Sequence, residues 1–290
     1  MTITRVVLIT GAATGIGQAT ADLLSAQGYR VFGTSRTPDR YGERAFPLLE
    51  MDVHSDESVA HAVQYVLAQA GRIDVLLNNA GTGLAGASEE TRLSEARTVF
   101  ETNFFGVMRV TNAVLPIMRK LRSGKIITMS SAGGFAGMPF RALYVASKFA
   151  LEGYTESLRY EVKPFGISVS LVEPGPVSTP AAEVVPHVSH EIAAYAASRS
   201  RFTDRFNASM RQGMPPLRVA RVIRRIIEQD APHLRYTIGA QATMLVLLRR
   251  SMPQGGFEML VRRLFDLENK AKLLEKEHEH GRSSRELENS

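Results

Sequence analysis

"RVVLITGAATGIGQATADLLSAQG" (residues 5–28) decides the fold. Its first part, "RVVLIT", reads as a short buried strand. Gly11, Gly15 and Gly17 follow at once, and "QATADLLSAQG" then takes up helical spacing. Glycine permits a tight turn and lets a phosphate approach the amides where a helix begins. A plain strand-to-helix turn needs no three glycines. Strand, glycine turn and helix in this order point to a parallel α/β sheet whose first turn cradles a pyrophosphate.

The rest of the chain continues that alternation. Short apolar runs at 30–34, 46–52, 75–81, 124–131, 167–175 and 235–239 read as further strands. They are continuously apolar, as strands covered on both faces must be. Helical periodicity fills the intervals, for example at 57–71 and 96–121. The expected fold is a doubly wound parallel sheet of Rossmann type, with about seven strands and helices on both faces. A single domain over 1–270 accommodates it. The pattern loosens from Pro180 to Pro232, and 271–290 is a polar, charged tail expected to fray.

Composition removes several function classes. With no cysteine there is no disulfide, thiolate nucleophile or thiolate metal site, which fits the cytoplasm. The N-terminus lacks the features of a signal peptide, and "MLVLL" (244–248) is too short to span a bilayer. The net charge of +6 comes from 199–225, with eight arginines against one acid, Asp204. No aromatic platform accompanies them, so an arginine-rich helical surface is expected rather than a nucleic-acid face. The late helical segments leave contact with a membrane surface open. "EHEH" (277–280) sits in the tail without a scaffold, so no metal site is expected.

"YVASK" (144–148) carries the chemistry. Residues four apart share one face of a helix. A free tyrosine titrates near ~10, and a fixed ammonium beside it stabilises the phenolate. Tyr144 and Lys148 thus form an acid/base pair.

The spacing G-x-x-x-G-x-G (11–17), "NNAG" (78–81), "TNFFG" (102–106), "MSSAGG" (129–134), "YVASK" and "PGPVSTP" (174–180) together resemble the short-chain dehydrogenase/reductase family over about 5–180. "ALYVASKFALEGYTESLRYEV" (142–162) and "RYTIGA" (235–240) are most similar to its 17β-hydroxysteroid and retinol dehydrogenase branch. The resemblance implies an oxidoreductase that exchanges hydride between a nicotinamide and a carbonyl or secondary alcohol. Tyr144 would move the proton, Ser131 would hydrogen-bond the substrate oxygen, Lys148 would also hold ribose, and Asn103 would hold a relay water. Ser130 neighbours Ser131, but strand alternation puts only one of them in the cleft. The implied cofactor contacts are Gly11, Thr14, Gly15, Ile16, Gly17, Ser35, Arg36, Asp52, Val53, Asn79, Ala80, Gly81, Asn103, Tyr144, Lys148, Pro174, Gly175, Val177 and Thr179.

Cofactor choice turns on the end of the second strand, "GTSRTPDR" (33–40). An acid there would hold a ribose 2′-hydroxyl and repel a 2′-phosphate. Ser35 stands in its place and Arg36 follows, with Arg40 near, so NADP(H) is favoured over NAD(H). Thr14 departs from the basic residue that many NADP-binding members carry. The branch also implies a bulky apolar substrate covered by about 180–232. There Val184, Val185, Ile192, Tyr195, Phe202, Phe206 and Met210 supply apolar surface, with Met138 and Phe140 as further wall. A homodimer or homotetramer is expected through the helices 96–121 and 144–163. The alternatives are an NAD-linked alcohol dehydrogenase of the same fold, a non-catalytic dinucleotide sensor and a nucleotide-sugar epimerase.

Overall fold

The computed structural model describes residues 4–180, 185–265 and 267. The ordered elements are β1 (Val6–Ile9), α1 (Gly15–Ser25), β2 (Arg30–Ser35), β3 (Leu48–Glu50), α2 (Asp56–Ala70), β4 (Val75–Asn78), α3 (Leu93–Phe100), α4 (Gly106–Leu121), β5 (Gly124–Met129), α5 (Ala142–Val162), β6 (Ile167–Pro174), α6 (Ala196–Arg211), α7 (Pro216–Glu228), β7 (Arg235–Ile238), α8 (Ala240–Ser251) and α9 (Gln254–Leu264). The strands form one seven-stranded sheet in the order β3-β2-β1-β4-β5-β6-β7. Every neighbouring pair is parallel. The strand order reverses between β1 and β4, and ligands bind outside the carboxyl ends of strands at such a point.

Alternation along the strands divides the core in two. Leu8, Leu76, Ile126 and Val169 face α2, α4 and α5, whose Val63, Val114 and Leu158 pack on them. Val7, Ile9, Leu77 and Val172 face α1 and α7 through Leu24, Ile223 and Ile227. Helix α7 buries Val219, Ala220, Ile223, Ile226 and Ile227 in this way. Its arginines are left to the outer surface, which accounts for half of the basic segment. No helix among the described residues is long and apolar enough to cross a membrane.

Three expectations needed adjustment. The helix expected over 96–121 is two helices joined by a π-helical turn at Glu101–Phe105. The roughly helical spacing of the apolar positions 192, 195, 202, 206 and 210 predicts one shared helix face, but Ile192 and Tyr195 precede α6, which begins at Ala196. The strand runs at 46–52, 75–81 and 124–131 are shorter, and their last residues become loops at the carboxyl edge. Val184, "EHEH" and the tail 271–290 lie outside the described residues.

Candidate active site

The glycine turn is fixed from below by Thr10. Its hydroxyl oxygen accepts from the amides of Asn79 and Ala80, both at 2.9 Å, and so ties β1 to β4. The Asn79 side chain donates to the carbonyls of Thr10 and Gly11, each at 2.9 Å. Gly15 has φ +60°, a conformation that side chains rarely tolerate. A Cβ on Gly17 would collide with the Gly11 carbonyl and the Asn79 amide. Thr14 precedes α1 in extended geometry, and Ile16 lies in the first turn, where its carbonyl accepts from Thr20 at 2.7 Å. Thr179 reaches over Gly15 from the far side. The turn therefore brings the backbone close at the N-terminus of α1, the kind of place where phosphates bind.

The remaining expected contacts line the same carboxyl edge. Asp52 turns back to accept from the amide of His54 at 3.0 Å, and Val53 packs against Gly106. A Cβ on Gly81 would stand 3.4 Å from the side-chain oxygen of Asn103. Pro174 ends β6, the Gly175 amide donates to Ile238 at 2.9 Å, and Val177 bridges Met214. Ser35 accepts from the amide of Thr37 at 3.2 Å, and Arg36 is exposed just past β2. Arg44 was not anticipated. It donates to the Ala13 carbonyl at 2.8 Å and sets a guanidinium against the glycine turn.

Deeper in, the two serines after β5 separate as alternation requires. Ser130 is buried and donates to Glu152 at 2.5 Å. Ser131 turns the other way, and its oxygen accepts from the Gly133 amide at 3.1 Å. A Cβ placed on Gly133 would stand 3.4 Å from the Tyr144 ring and 3.6 Å from the Ser131 oxygen, so both groups border one spot. Lys148 is buried behind the tyrosine, 5.7 Å from its ring centre. Its ammonium donates to the Met129 carbonyl at 2.8 Å. Burial pushes Lys148 below its ordinary value, with Tyr144 and Glu152 opposing.

Asn103 sits in the π turn, fully buried. It donates to the Thr82 carbonyl at 2.9 Å and to Ser147 at 3.0 Å, and accepts from the Thr82 amide at 2.8 Å. Ser147 in turn donates to the Tyr144 carbonyl at 2.7 Å. Asn103 thus pins the β4 loop to the helix that carries the tyrosine.

Behind Lys148 lies a network that sequence reasoning missed. Arg235 donates to Glu152 at 3.0 Å and to Glu156 at 2.6 Å, and Thr237 donates to Glu173 at 2.8 Å. Burial pushes Glu173 up to about 8, aided by Glu152. Spacing could have linked Lys148 to Glu152 but not to strand β7. Across the cleft, Glu90 is buried, pairs with Arg199 and accepts from the Ile192 amide at 2.8 Å. That clamp accounts for one arginine of the basic segment and holds α6 over the site. Phe202 is buried there against Phe140 and Phe206, each with ring centres 5.6 Å away. Among the described residues no group of acids and histidines could hold a metal ion.

The chain matches the family model "short chain dehydrogenase" over residues 5–188. It is 39% identical over 254 residues to a 3-ketodihydrosphingosine reductase of Bacteroides thetaiotaomicron, covering 85% of this chain and 92% of that protein. It is 38% identical over 274 residues to bovine retinol dehydrogenase 8, covering 87% and 86%. A solved structure, ElxO with NADP bound, superposes with a TM-score of 0.69 at 26% identity, covering 83% of this chain and all of that one.

Proposed function

We propose, from the premise that this chain belongs to the short-chain dehydrogenase family, that it moves hydride between NADP(H) and the carbonyl or secondary alcohol of a bulky apolar compound. It is an oxidoreductase of the CH–OH/C=O class. The single observation that carries the finer reading is the meeting of Tyr144 and Ser131 around Gly133, with the Lys148 ammonium buried behind the ring.

The nicotinamide supplies or accepts the hydride. All else falls to the chain's own residues. In the reducing direction Tyr144 gives its phenolic proton to the carbonyl oxygen. Ser131 donates a hydrogen bond to that oxygen as charge develops on it. Lys148 stabilises the phenolate left behind. Asn103, joined to Thr82 and to Ser147, occupies the relay position beneath the tyrosine. The cradle around Gly11, Gly15 and Gly17 would hold the pyrophosphate.

NADP(H) is supported by Arg36 with no acid at the end of β2, and by the NADP held by the structural relative. Arg44 adds a second guanidinium at the same turn. The apolar substrate is supported by Phe140, Phe202 and Phe206, and by the lipid-like compounds in the relatives' names. Exposed Phe105, Phe149 and Tyr160 on the α4 and α5 side support self-association. The lack of cysteine supports a reducing compartment such as the cytoplasm.

The test is absorbance of the reduced nicotinamide during incubation with a panel of ketones graded by size. Turnover that favours NADPH and rises with apolar size is expected. A preference for NADH overturns the cofactor assignment, and best activity on polyhydroxylated substrates overturns the substrate class.

A further inference from the structure

Arg141 stands directly against the tyrosine and has no counter-ion among the described residues. It is only 5% exposed, and its Nε and Nη1 atoms have no hydrogen-bond partner. Its guanidinium lies over the Tyr144 ring at 4.8 Å and over the Phe206 ring at 4.7 Å. Such contacts engage the cation through ring charge and consume no N–H donor. On the remaining side, an added Cβ at Gly83 would come within 2.9 Å of Nη2, so glycine there makes room for the group.

Everything around this cation raises its cost. Arg141 caps the N-terminus of α5, a helix of 21 residues with no acid in its first turn. The positive end of the helix dipole therefore faces a positive side chain. Lys148 adds a second buried cation beyond the tyrosine. Burial pushes the Arg141 guanidinium below its ordinary value, and only Tyr144 opposes. The residue before it, Phe140, is held at φ +55°, a strained conformation for an aromatic side chain. A buried charge with unused donors is expensive, and strain and unmet polarity of this kind gather at functional sites. Phe140, Phe202 and Phe206 pack together on this side of the tyrosine, and the Arg141 guanidinium stands among them with donors unused.

We propose that Arg141 receives a carboxylate carried by the substrate within a few bonds of the reacting carbonyl, so the substrate is an apolar oxo- or hydroxy-acid. The inference rests on the oxidoreductase reading above and names its substrate class. A carboxylate is planar and singly charged, and it accepts two parallel N–H bonds from one guanidinium. A phosphate monoester carries nearly twice the charge and would call for more donors than one arginine provides. A neighbouring ammonium on the substrate is rejected by the same charge.

The test uses the full chain saturated with NADP+, titrated calorimetrically with 4-oxodecanoate and with its methyl ester. The acid is expected to bind at least tenfold more tightly than the ester. In Arg141→Met that ratio should fall to near one, whatever happens to the ester itself. Arg141→Lys keeps the charge without the fork and should recover part of the ratio. Without ligand, Arg141→Met should melt at the wild-type temperature or above it, because it removes an unpaired buried charge and keeps the contact with the rings. Acid binding no tighter than ester, no binding of the acid, an unchanged ratio in Arg141→Met, or a fall of many degrees in its melting temperature would each overturn the proposal. An equal loss of turnover for acid and ester with no difference in binding would also overturn it, by assigning Arg141 to the tyrosine alone. Reduction of the ester by NADPH reports separately on the oxidoreductase reading. That reading fails if no ketone is reduced while acid binding still depends on Arg141.

Discussion

Tyr144 and Ser131 come from different elements, and the structure brings both to one spot at Gly133; the spacing to Lys148 singled out the tyrosine, and the family resemblance singled out the serine. Removing the phenolic proton should therefore be decisive. Tyr144→Phe keeps the ring between Arg141 and Lys148 and should cost about 10²–10⁴-fold in kcat with cofactor affinity preserved. Near-normal turnover on an active ketone would remove the tyrosine from the role of proton donor. The position of Arg36 just past β2 was equally readable, since only the end of that strand had to be located. Arg36→Ala should weaken NADPH by roughly 1.5–3 kcal/mol and NADH far less, measured by nucleotide fluorescence. Equal losses would make Arg36 structural. Arg44 and Arg141 were not readable as site residues. Arg44 reaches Ala13 across 31 positions, and Arg141 meets Phe206 across 65. Nothing in a local pattern announces such contacts.

The strands declared themselves through continuous apolar runs, and each falls within the span read for it or one residue beyond. Helix interiors were less transparent. The sequence 96–121 keeps apolar periodicity throughout, and only the hydrogen bonds of Asn103 explain why a π turn interrupts it. Single π-helical turns inside helices often mark functional sites. The segment from 185 to 232 was readable as loosened pattern but not as structure, because its ties are distant. Among the described residues its ties include the bridges Ala85–His187 and Val177–Met214, the pair Glu90–Arg199, and hydrogen bonds from the Ser189 amide to Glu95, the Ile192 amide to Glu90 and the Tyr195 hydroxyl to Glu89. Most of these ties are polar and lie at its rim, and its Phe202 and Phe206 pack beside Phe140 and Arg141, next to the tyrosine. Hydrogen exchange between Pro180 and Pro215 should therefore slow when cofactor and an apolar ketone are both bound, and change little with cofactor alone. Unaltered exchange in the ternary complex would show that this segment is not a substrate cover.

Whole-molecule properties depend on surfaces and on charges that sequence order does not juxtapose. Tyr160 is 67% exposed and Phe149 45% exposed on α5, next to half-exposed Phe105. Phe149→Glu should shift the species seen in light scattering toward monomer, and an unchanged mass would exclude this face from the assembly. The buried carboxylates set a second global property. Glu173 (β6) lies 3.6 Å from the Arg235 guanidinium (β7), which itself pairs with Glu152 and Glu156 of α5. Three acids thus share one cation, and burial raises Glu173 from 4.5 to about 8. The folded state then keeps a proton that the unfolded chain loses above about 4.5. Stability from this group is fully present below that pH and is lost as the pH rises through about 8, by at most about 1.4 kcal/mol per pH unit. Glu173→Gln preserves a neutral, hydrogen-bonding side chain and removes the titration. Its urea midpoint should match wild type near pH 5, vary less between pH 5 and 8, and exceed wild type above pH 8. A variant that is weaker than wild type at pH 8 would mean that Glu173 is ionised in the folded state and that Arg235 satisfies all three acids at once.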